Sequence, residues 1–299
     1  MRGGLLASNE PSISGHTAVY GLIGDPIEHS MSPTIQNSAF HSAGIDAIYV
    51  AWRVPSSGLE SAVVGLRALG VKGFNVTTPH KTAVTRHLNH LDHFASLIHS
   101  VNTVKSEHGR LTGYNTDGAG VFDSLEAAGA DPVGKSILLI GAGGAGRAAA
   151  FVLAERGCRL ALMNRTMAKA RSLANQLRKE FDANVSVAQF STRTLHRLLD
   201  EAQIIINASS MGMHGKSNVP IKPTWIRSHH CVFELVYLPL ETRLLQYATM
   251  VGAKTVTGLD MLLHQGAYSF TLWTGRKAPL VEMRQAIAGR LSSIGSLAR

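Results

Sequence analysis

The sequence predicts an α/β protein of two lobes, and three observations lead there. Short β-rich runs alternate with helical stretches almost from end to end, the pattern of βα units on parallel sheets. At 299 residues the chain favours two domains over one. A six-stranded unit is complete by about residue 257, which leaves the last helical segments free to pack back on the first lobe.

Taken in order, the first residues, MRGGLLASNEPSISGHT, hold an apolar stretch too short for a secretory core of roughly 7–15 residues. They are read as a floppy N-terminal extension. Strands are expected at 18–23 (AVYGLI), 47–54 (AIYVAWRV) and 71–76 (VKGFNV), with helices near 33–43 and 56–69. Two further short strands are expected at 100–105 and 110–114, and a helix near Gly118. From 134 the alternation becomes regular. Strand KSILLI, a glycine-rich turn and helix RAAAFVLAERG, stopped by Gly157, come first. They are followed by strand CRLALMN, helix 167–180, strand VSVAQF, helix 192–200 and strands QIIINA, CVFELV and KTVTG. A polar loop is expected at 208–223, and two helices at 259–275 and 280–295.

Composition excludes several classes. Apolar residues make up 45% and charged residues 16%, an ordinary globular balance. No run reaches the roughly 18 apolar residues needed to cross a bilayer, so no membrane partner is expected. Cys158 and Cys231 fall in expected buried strands; a disulfide framework is not expected, and a cytoplasmic location fits. The fourteen histidines include no HExxH or similar spacing, and no metal is expected. A net charge of +9 concentrates anionic ligands, but no Lys/Arg arm or reading motif points to nucleic acid.

The turn Gly141-Ala142-Gly143-Gly144-Ala145-Gly146 is G-x-G-x-x-G, directly after a strand and opening a helix. The first Gly allows the tight turn, the second lets backbone approach a diphosphate, and the third lets helix and strand pack closely. Free N–H groups and the positive helix end then face the phosphates. This is the context a dinucleotide site requires, so the second lobe is expected to be Rossmann-type. An NAD site usually places Asp or Glu about 20 residues on, at the end of the next strand. This sequence has Asn164-Arg165-Thr166 there, with Lys169 one turn later. Arg and Lys attract a 2′-phosphate, so the expected cofactor is NADP. Thr166 also suits a helix N-cap.

Four polar clusters stand at strand ends in the first lobe: His29–Pro33, Asn75–Lys81, Ser100–Thr103 and Gly113–Gly118. Each has a plain explanation as a cap or turn, for example Ser32 or Thr78 before a proline, or Asp117 before a helix. Together they suggest a pocket for a small polyhydroxylated acid.

The segments GDPIEHSMSP, NVTTPHK, VNT, GYNTDG, GAGGAGRA, NRT and GLDMLLHQGA, in this order between residues 24 and 267, resemble the shikimate dehydrogenase family. The resemblance implies NADP-dependent reversible reduction of 3-dehydroshikimate to shikimate, on the pathway to chorismate and the aromatic amino acids. It implies a substrate domain of residues 1–117 and 258–299 and an NADP-binding domain of residues 118–257. Ser30 and Ser32, aided by Tyr237, would hold the substrate carboxylate. Thr77, Asn102, Asp117 and Gln265 would contact ring hydroxyls, with Lys81 catalytic. Cofactor contacts would come from Gly141, Ala142, Gly143, Gly144, Ala145, Asn164, Arg165, Thr166 and Lys169, and near Leu235, Gly258 and Met261. A small-molecule substrate is the expected partner, and a homodimer is compatible. Some residues depart from the family pattern. His99-Ser100 stands where Gly-Ala is usual, Glu234 where Asp is usual, and Arg243 where Pro is common. FTLWTGRKAPL resembles the quinate/shikimate branch.

The residue types allow the chemistry. Lys81 is a flexible ammonium able to donate to a ketone oxygen and stabilise the developing alkoxide, and Asp117 would orient it. Rival readings are a quinate/shikimate dehydrogenase with relaxed cofactor use, a folate-interconverting enzyme, and a non-catalytic NADP sensor or basic nucleic-acid-binding regulator. Ser30 and Ser32 argue against folate, and the Lys81 and Asp117 combination argues against a sensor.

Overall fold

A computed structural model describes residues 13–213 and 217–297. Residues 1–12 of the expected N-terminal extension, and residues 214–216 of the expected loop, lie outside the described residues.

The first lobe is built from β1 (Ala18–Gly24), α1 (Ser32–Ser42), β2 (Ala47–Arg53), α2 (Leu59–Ala68), β3 (Gly73–Val76), β4 (His90–Leu91), α3 (His93–Ile98), β5 (Thr103–Glu107) and β6 (Arg110–Tyr114). Its six strands lie in the order β2-β1-β3-β5-β6-β4. The alternation predicted parallel pairing throughout, and here the structure differs. β1 runs parallel to β2 and β3, but β5 is antiparallel to both β3 and β6. The cause is a tight hairpin at His108-Gly109, where φ is +50° and +73°. A two-residue hairpin turn of this hand needs positive φ at both positions. The segment 82–99, for which the sequence predicts no element, forms a 3-10 turn at Ala83–His87, then β4 and α3. The strands expected from 71 and from 100 begin at Gly73 and Thr103.

α4 (Asp117–Ala127) leads into the second lobe. There follow β7 (Ser136–Ile140), α5 (Gly144–Glu155), β8 (Arg159–Met163), α6 (Met167–Phe181), β9 (Val185–Ala188), α7 (Thr192–Glu201), β10 (Ile204–Asn207), β11 (Cys231–Glu234), α8 (Arg243–Met250) and β12 (Lys254–Thr257). Of these, α8 is not predicted by the sequence pattern. The sheet order is β12-β11-β10-β7-β8-β9, parallel throughout, which is the doubly wound arrangement. Order reverses between β7 and β10, and a crevice opens there at the C-terminal strand ends. Alternation along β7 explains the two layers. Ile137 and Leu139 pack with Phe151, Leu160 and Leu173 on one face. Leu138 and Ile140 pack with Leu195, Leu199 and Val232 on the other. Both cysteines are buried, free thiols. Cys158 sits one residue before β8, not within it, and its thiol donates to Pro132 O.

α9 (Gly258–Thr274) and α10 (Leu280–Leu297) return to the first lobe, as expected. A capping box of Thr257 and Asp260 starts α9, and Gly275 at φ +68° ends it. Phe270 and Trp273 of α9 and Met283 of α10 join Tyr20, Phe40 and Tyr49 in one core. Trp273 Nε1 donates to Val104 O at 3.0 Å. α4 packs against both α5 and α9, so its first residue sits where the two lobes meet.

The seating of Trp273 depends on a missing side chain. A Cβ at Gly73 would stand 2.3 Å from Trp273 Nε1, whereas one at Gly65, within α2, would meet nothing within 4 Å. Gly73→Ala should therefore cost roughly 1–3 kcal/mol of unfolding free energy by overpacking. Gly65→Ala should be neutral or stabilising by up to about 1 kcal/mol. Urea unfolding of both variants checks the contrast, and equal effects would contradict it.

Candidate active site

The turn after β3 carries Lys81, and the helix start after β6 carries Asp117. His80 is buried with its Nε2 2.6 Å from Val54 O, and Lys81 O accepts from Val101 N–H at 2.8 Å. These bonds fix the turn, and the Lys81 side chain crosses to Asp117, where Nζ donates to Oδ2 at 2.5 Å. Asp117 is 3% exposed. Its other oxygen accepts from Asn102 Nδ2 at 2.8 Å, and it stands in the first turn of α4, where the helix end favours negative charge. A buried carboxylate is tolerated only when paired and hydrogen-bonded, and both conditions are met here.

Asn102 Nδ2 also lies 2.9 Å from Thr116 Oγ1 and 3.2 Å from Gln265 Oε1. An amide nitrogen has two protons, so these three acceptors compete for two bonds. The network continues inward. Asn75 Nδ2 donates to Asn102 O, Thr103 Oγ1 and Ser269 Oγ in shared fashion, and Asn75 Oδ1 accepts from the Tyr49 hydroxyl at 2.7 Å. Burial pushes the Tyr49 phenol well above its ordinary range, with a Ser32 hydrogen bond opposing. A continuous polar path thus joins Lys81 to Ser32. Ser30 Oγ accepts from Ser32 N–H at 3.2 Å, so the two serines form one local turn. The helix cap expected at Ser32 falls instead at Met31, and the cap expected at Thr78 does not form because a turn, not a helix, follows it. Asp117 is likewise not a cap; Thr116 holds that position. Thr77 packs its methyl on Gly24, and Tyr237 packs beside Gly258 and Leu235. Hydrogen bonds among the described residues draw Lys81, Asp117, Asn102 and Gln265 into one cluster. None of the hydrogen bonds described joins the side chains of Ser30, Thr77 or Tyr237 directly to these four.

The glycine-rich turn meets this cluster. Gly141 adopts φ +112°, and a Cβ there would lie 2.7 Å from the Ala208 carbonyl. One at Gly146 would lie 2.3 Å from Gly141 O. Above Gly143 the space is open, and a Cβ at Gly144 would find only Lys81 Cδ and Ser100 Oγ, both at 3.9 Å. An open cradle over the first turn of a twelve-residue helix fits a dinucleotide diphosphate. A cleft of about 490 Å³ continues from Ala142, Gly143 and Gly144 to Lys169, with Thr82 and Ser100 opposite. At the end of β8 Asn164 Oδ1 accepts from Ala142 N–H at 3.1 Å, next to the glycine-rich turn. Arg165, Thr166 and Lys169 are exposed there, and Thr166 occupies the N-cap of α6 without a side-chain capping bond. Positive charge and a free hydroxyl at this point suit a 2′-phosphate. Ala145 follows in the same turn. Gly258 is forced by Leu235 O, 2.5 Å from its Cβ position, and Met261 is 8% exposed one turn on. Arg147 joins the lobes, its Nε donating to Ile98 O at 2.7 Å and a terminal nitrogen to Gln176.

Sequence reasoning does not assign Tyr49, Asn75, Thr103, Thr116 or Ser269. Asn75, Thr103 and Thr116 stand inside quoted motifs and were findable; Tyr49 and Ser269 read as ordinary core positions of a strand and a helix. Two departures find their places. His99 ends α3 at φ +49°, ψ +44°, a conformation that Gly adopts more readily. Glu234 is fully buried and does not reach the cradle. It accepts from Asn207 Nδ2, Val236 N–H and the Thr242 hydroxyl, tying the end of β10 to the segment between β11 and α8.

Comparison with known proteins places this geometry. Residues 22–104 match the shikimate dehydrogenase substrate binding domain, residues 126–215 the shikimate / quinate 5-dehydrogenase model, and residues 258–288 the shikimate 5′-dehydrogenase C-terminal domain. The shikimate dehydrogenase (NADP(+)) of Moorella thermoacetica is 42% identical over 277 residues, covering 92% of this chain and 94% of that one. A crystal structure of a shikimate dehydrogenase in complex with NADP+ superposes with a TM-score of 0.87 at 40% identity, covering 95% of this chain and 99% of that one. The shikimate 5-dehydrogenase of Thermus thermophilus, in complex with NADP(H) and shikimate, gives a TM-score of 0.81 at 35% identity, covering 90% and 98%.

The buried Glu234 predicts a pH signature. Burial pushes its carboxyl from 4.5 to about 7 despite three donors. The folded chain therefore holds that proton more tightly than the unfolded chain. This stabilisation is complete below about pH 4.5 and fades as pH rises through about 7. His230, held down at about 4 by burial, acts in the opposite sense, so a variant comparison is needed. Relative to Glu234→Gln, the unmodified chain should lose roughly 3 kcal/mol of unfolding free energy across that window. Denaturant unfolding at several pH values reads the difference; parallel curves would contradict it.

Proposed function

The chain belongs to the shikimate dehydrogenase family, and we propose that it reduces 3-dehydroshikimate reversibly to shikimate with NADPH, using Lys81 and Asp117. It is an NADP-dependent oxidoreductase of the shikimate pathway, which leads to chorismate and the aromatic amino acids. The observation that carries the residue assignment is the Lys81–Asp117 pair standing against Gly144 of the glycine-rich turn.

When bound, NADPH supplies the hydride to the ketone carbon. The Lys81 ammonium donates to the ketone oxygen, stabilises the charge that develops there and gives up a proton, so ketone becomes alcohol. Asp117 holds that ammonium in place and accepts from a ring hydroxyl. Asn102 and Gln265, already bonded to each other, present the remaining amide groups to the ring, with Thr77 beside them. Ser30 and Ser32 take the carboxylate, joined by Tyr237. Arg165, Thr166 and Lys169 take the 2′-phosphate, Asn164 steadies the turn, and Gly141 to Ala145 cradle the diphosphate. Leu235, Gly258 and Met261 close the nicotinamide side. The substrate lobe comprises residues 1–117 and 258–299, and the cofactor lobe residues 118–257. No helix among the described residues is long and apolar enough to cross a membrane. A cytoplasmic location is proposed on other grounds, the two cysteines being free thiols that suit a reducing compartment. The enzyme is further proposed to form a homodimer.

A spectrophotometric assay crossing NADPH and NADH with 3-dehydroshikimate and 3-dehydroquinate tests the reading. Fast NADPH oxidation with 3-dehydroshikimate is expected, and its absence alongside tight cofactor binding would mark a sensor. Lys81→Ala should lower turnover by about 10²–10⁴-fold while NADP+ still binds. Wild-type-like turnover would remove Lys81 from the mechanism. Arg165→Ala should raise the KM for NADPH about tenfold or more and leave that for NADH nearly unchanged. Equal losses would refute the 2′-phosphate assignment.

A further inference from the structure

One polar side chain at the junction of the lobes has no task in the mechanism above. Ser100 follows α3 and is 2% exposed. Its backbone is held from two sides: its N–H donates to Ala95 O at 3.3 Å, and its carbonyl accepts from Asn115 Nδ2 at 3.0 Å. Its hydroxyl is buried and has no hydrogen-bond partner among the described residues. A buried hydroxyl in that state is unfavourable, and such groups mark places where another molecule completes the set.

The direction it faces names the molecule. Ser100 Oγ lies 3.9 Å from the Cβ position of Gly144, at the first turn of α5, and Ser100 lines the same cleft as Ala142, Gly143 and Gly144. An anion seated on that turn receives backbone N–H groups and the positive helix end from the cofactor lobe. The Ser100 hydroxyl stands on the other side of the same space, carried by the substrate lobe.

We propose that Ser100 is a cofactor-positioning residue, its hydroxyl donating to a diphosphate oxygen of the dinucleotide from the lobe opposite the glycine-rich turn. The contact ties cofactor occupancy to the approach of the two lobes. It rests on the dinucleotide reading of the preceding subsection.

The test is isothermal titration calorimetry of the full chain and of Ser100→Ala with NADP+, NAD+, ADP-ribose and shikimate. The expected result is a dissociation constant raised about tenfold for NADP+, NAD+ and ADP-ribose alike, since all three carry the diphosphate. Shikimate affinity should be unchanged. The ligand-free variant should melt at the same temperature as the unmodified chain or higher, because an unpartnered hydroxyl has been removed. Unchanged cofactor affinity would overturn the proposal, as would a loss confined to NADP+, a loss that spares ADP-ribose, or a lower melting temperature with unaltered binding. Failure of the unmodified chain to bind any dinucleotide would instead bring down the underlying reading.

Discussion

The arrangement turns on a carboxylate that water does not reach. Asp117 is 3% exposed, and a lone charge so placed would cost several kcal/mol. Lys81 from one turn and Asn102 from another satisfy its two oxygens, and neither can leave without exposing the other groups to an unpaired charge. That requirement fixes where the β3 turn, the start of β5 and the start of α4 stand relative to one another. The same helix start lies between the lobes, so the constraint that holds a charge in place also sets the pair against the glycine-rich turn.

Close approach does the rest. Gly141 and Gly146 remove side chains where strand, helix and the Ala208 backbone crowd together, and Gly143 and Gly144 leave open the space that a diphosphate needs. Gly73 lets the Trp273 ring of α9 settle on the first sheet. α9 in turn brings Gln265 within 3.2 Å of Asn102. The C-terminal helices therefore do more than complete a core: one of them carries a member of the polar cluster back from the far end of the chain.

Much of this could be read in the sequence, for reasons that differ between lobes. The second sheet was legible because its buried parallel strands are short apolar runs, punctuated by turn glycines and flanked by amphipathic helices. The first sheet was legible only in part. Its antiparallel strand depends on a hairpin with positive φ at both His108 and Gly109, and His-Gly is a weaker hairpin signal than Asn-Gly or Asp-Gly. α8 went unseen because it is eight residues long, between a proline-containing loop and a strand. The polar motifs led to Lys81, Asp117, Asn102 and Gln265 but not to Tyr49 or Ser269. Those two sit at positions where alternation and helical period call for core residues, and their roles emerge only when β2, β3 and α9 are packed together. Glu234, noted in the sequence only as a departure from the usual Asp, shows its role once the chain is folded, where its buried carboxyl ties the end of β10 to the segment after β11.

The central claim is that Lys81 and Asp117 act as one unit on the substrate. A double-mutant cycle of Lys81→Ala, Asp117→Ala and the combined variant, read as kcat/KM for 3-dehydroshikimate with NADPH, tests it most directly. The account predicts that the double variant loses little more than the worse single variant. Fully multiplicative losses, as for two independent sites, would contradict it.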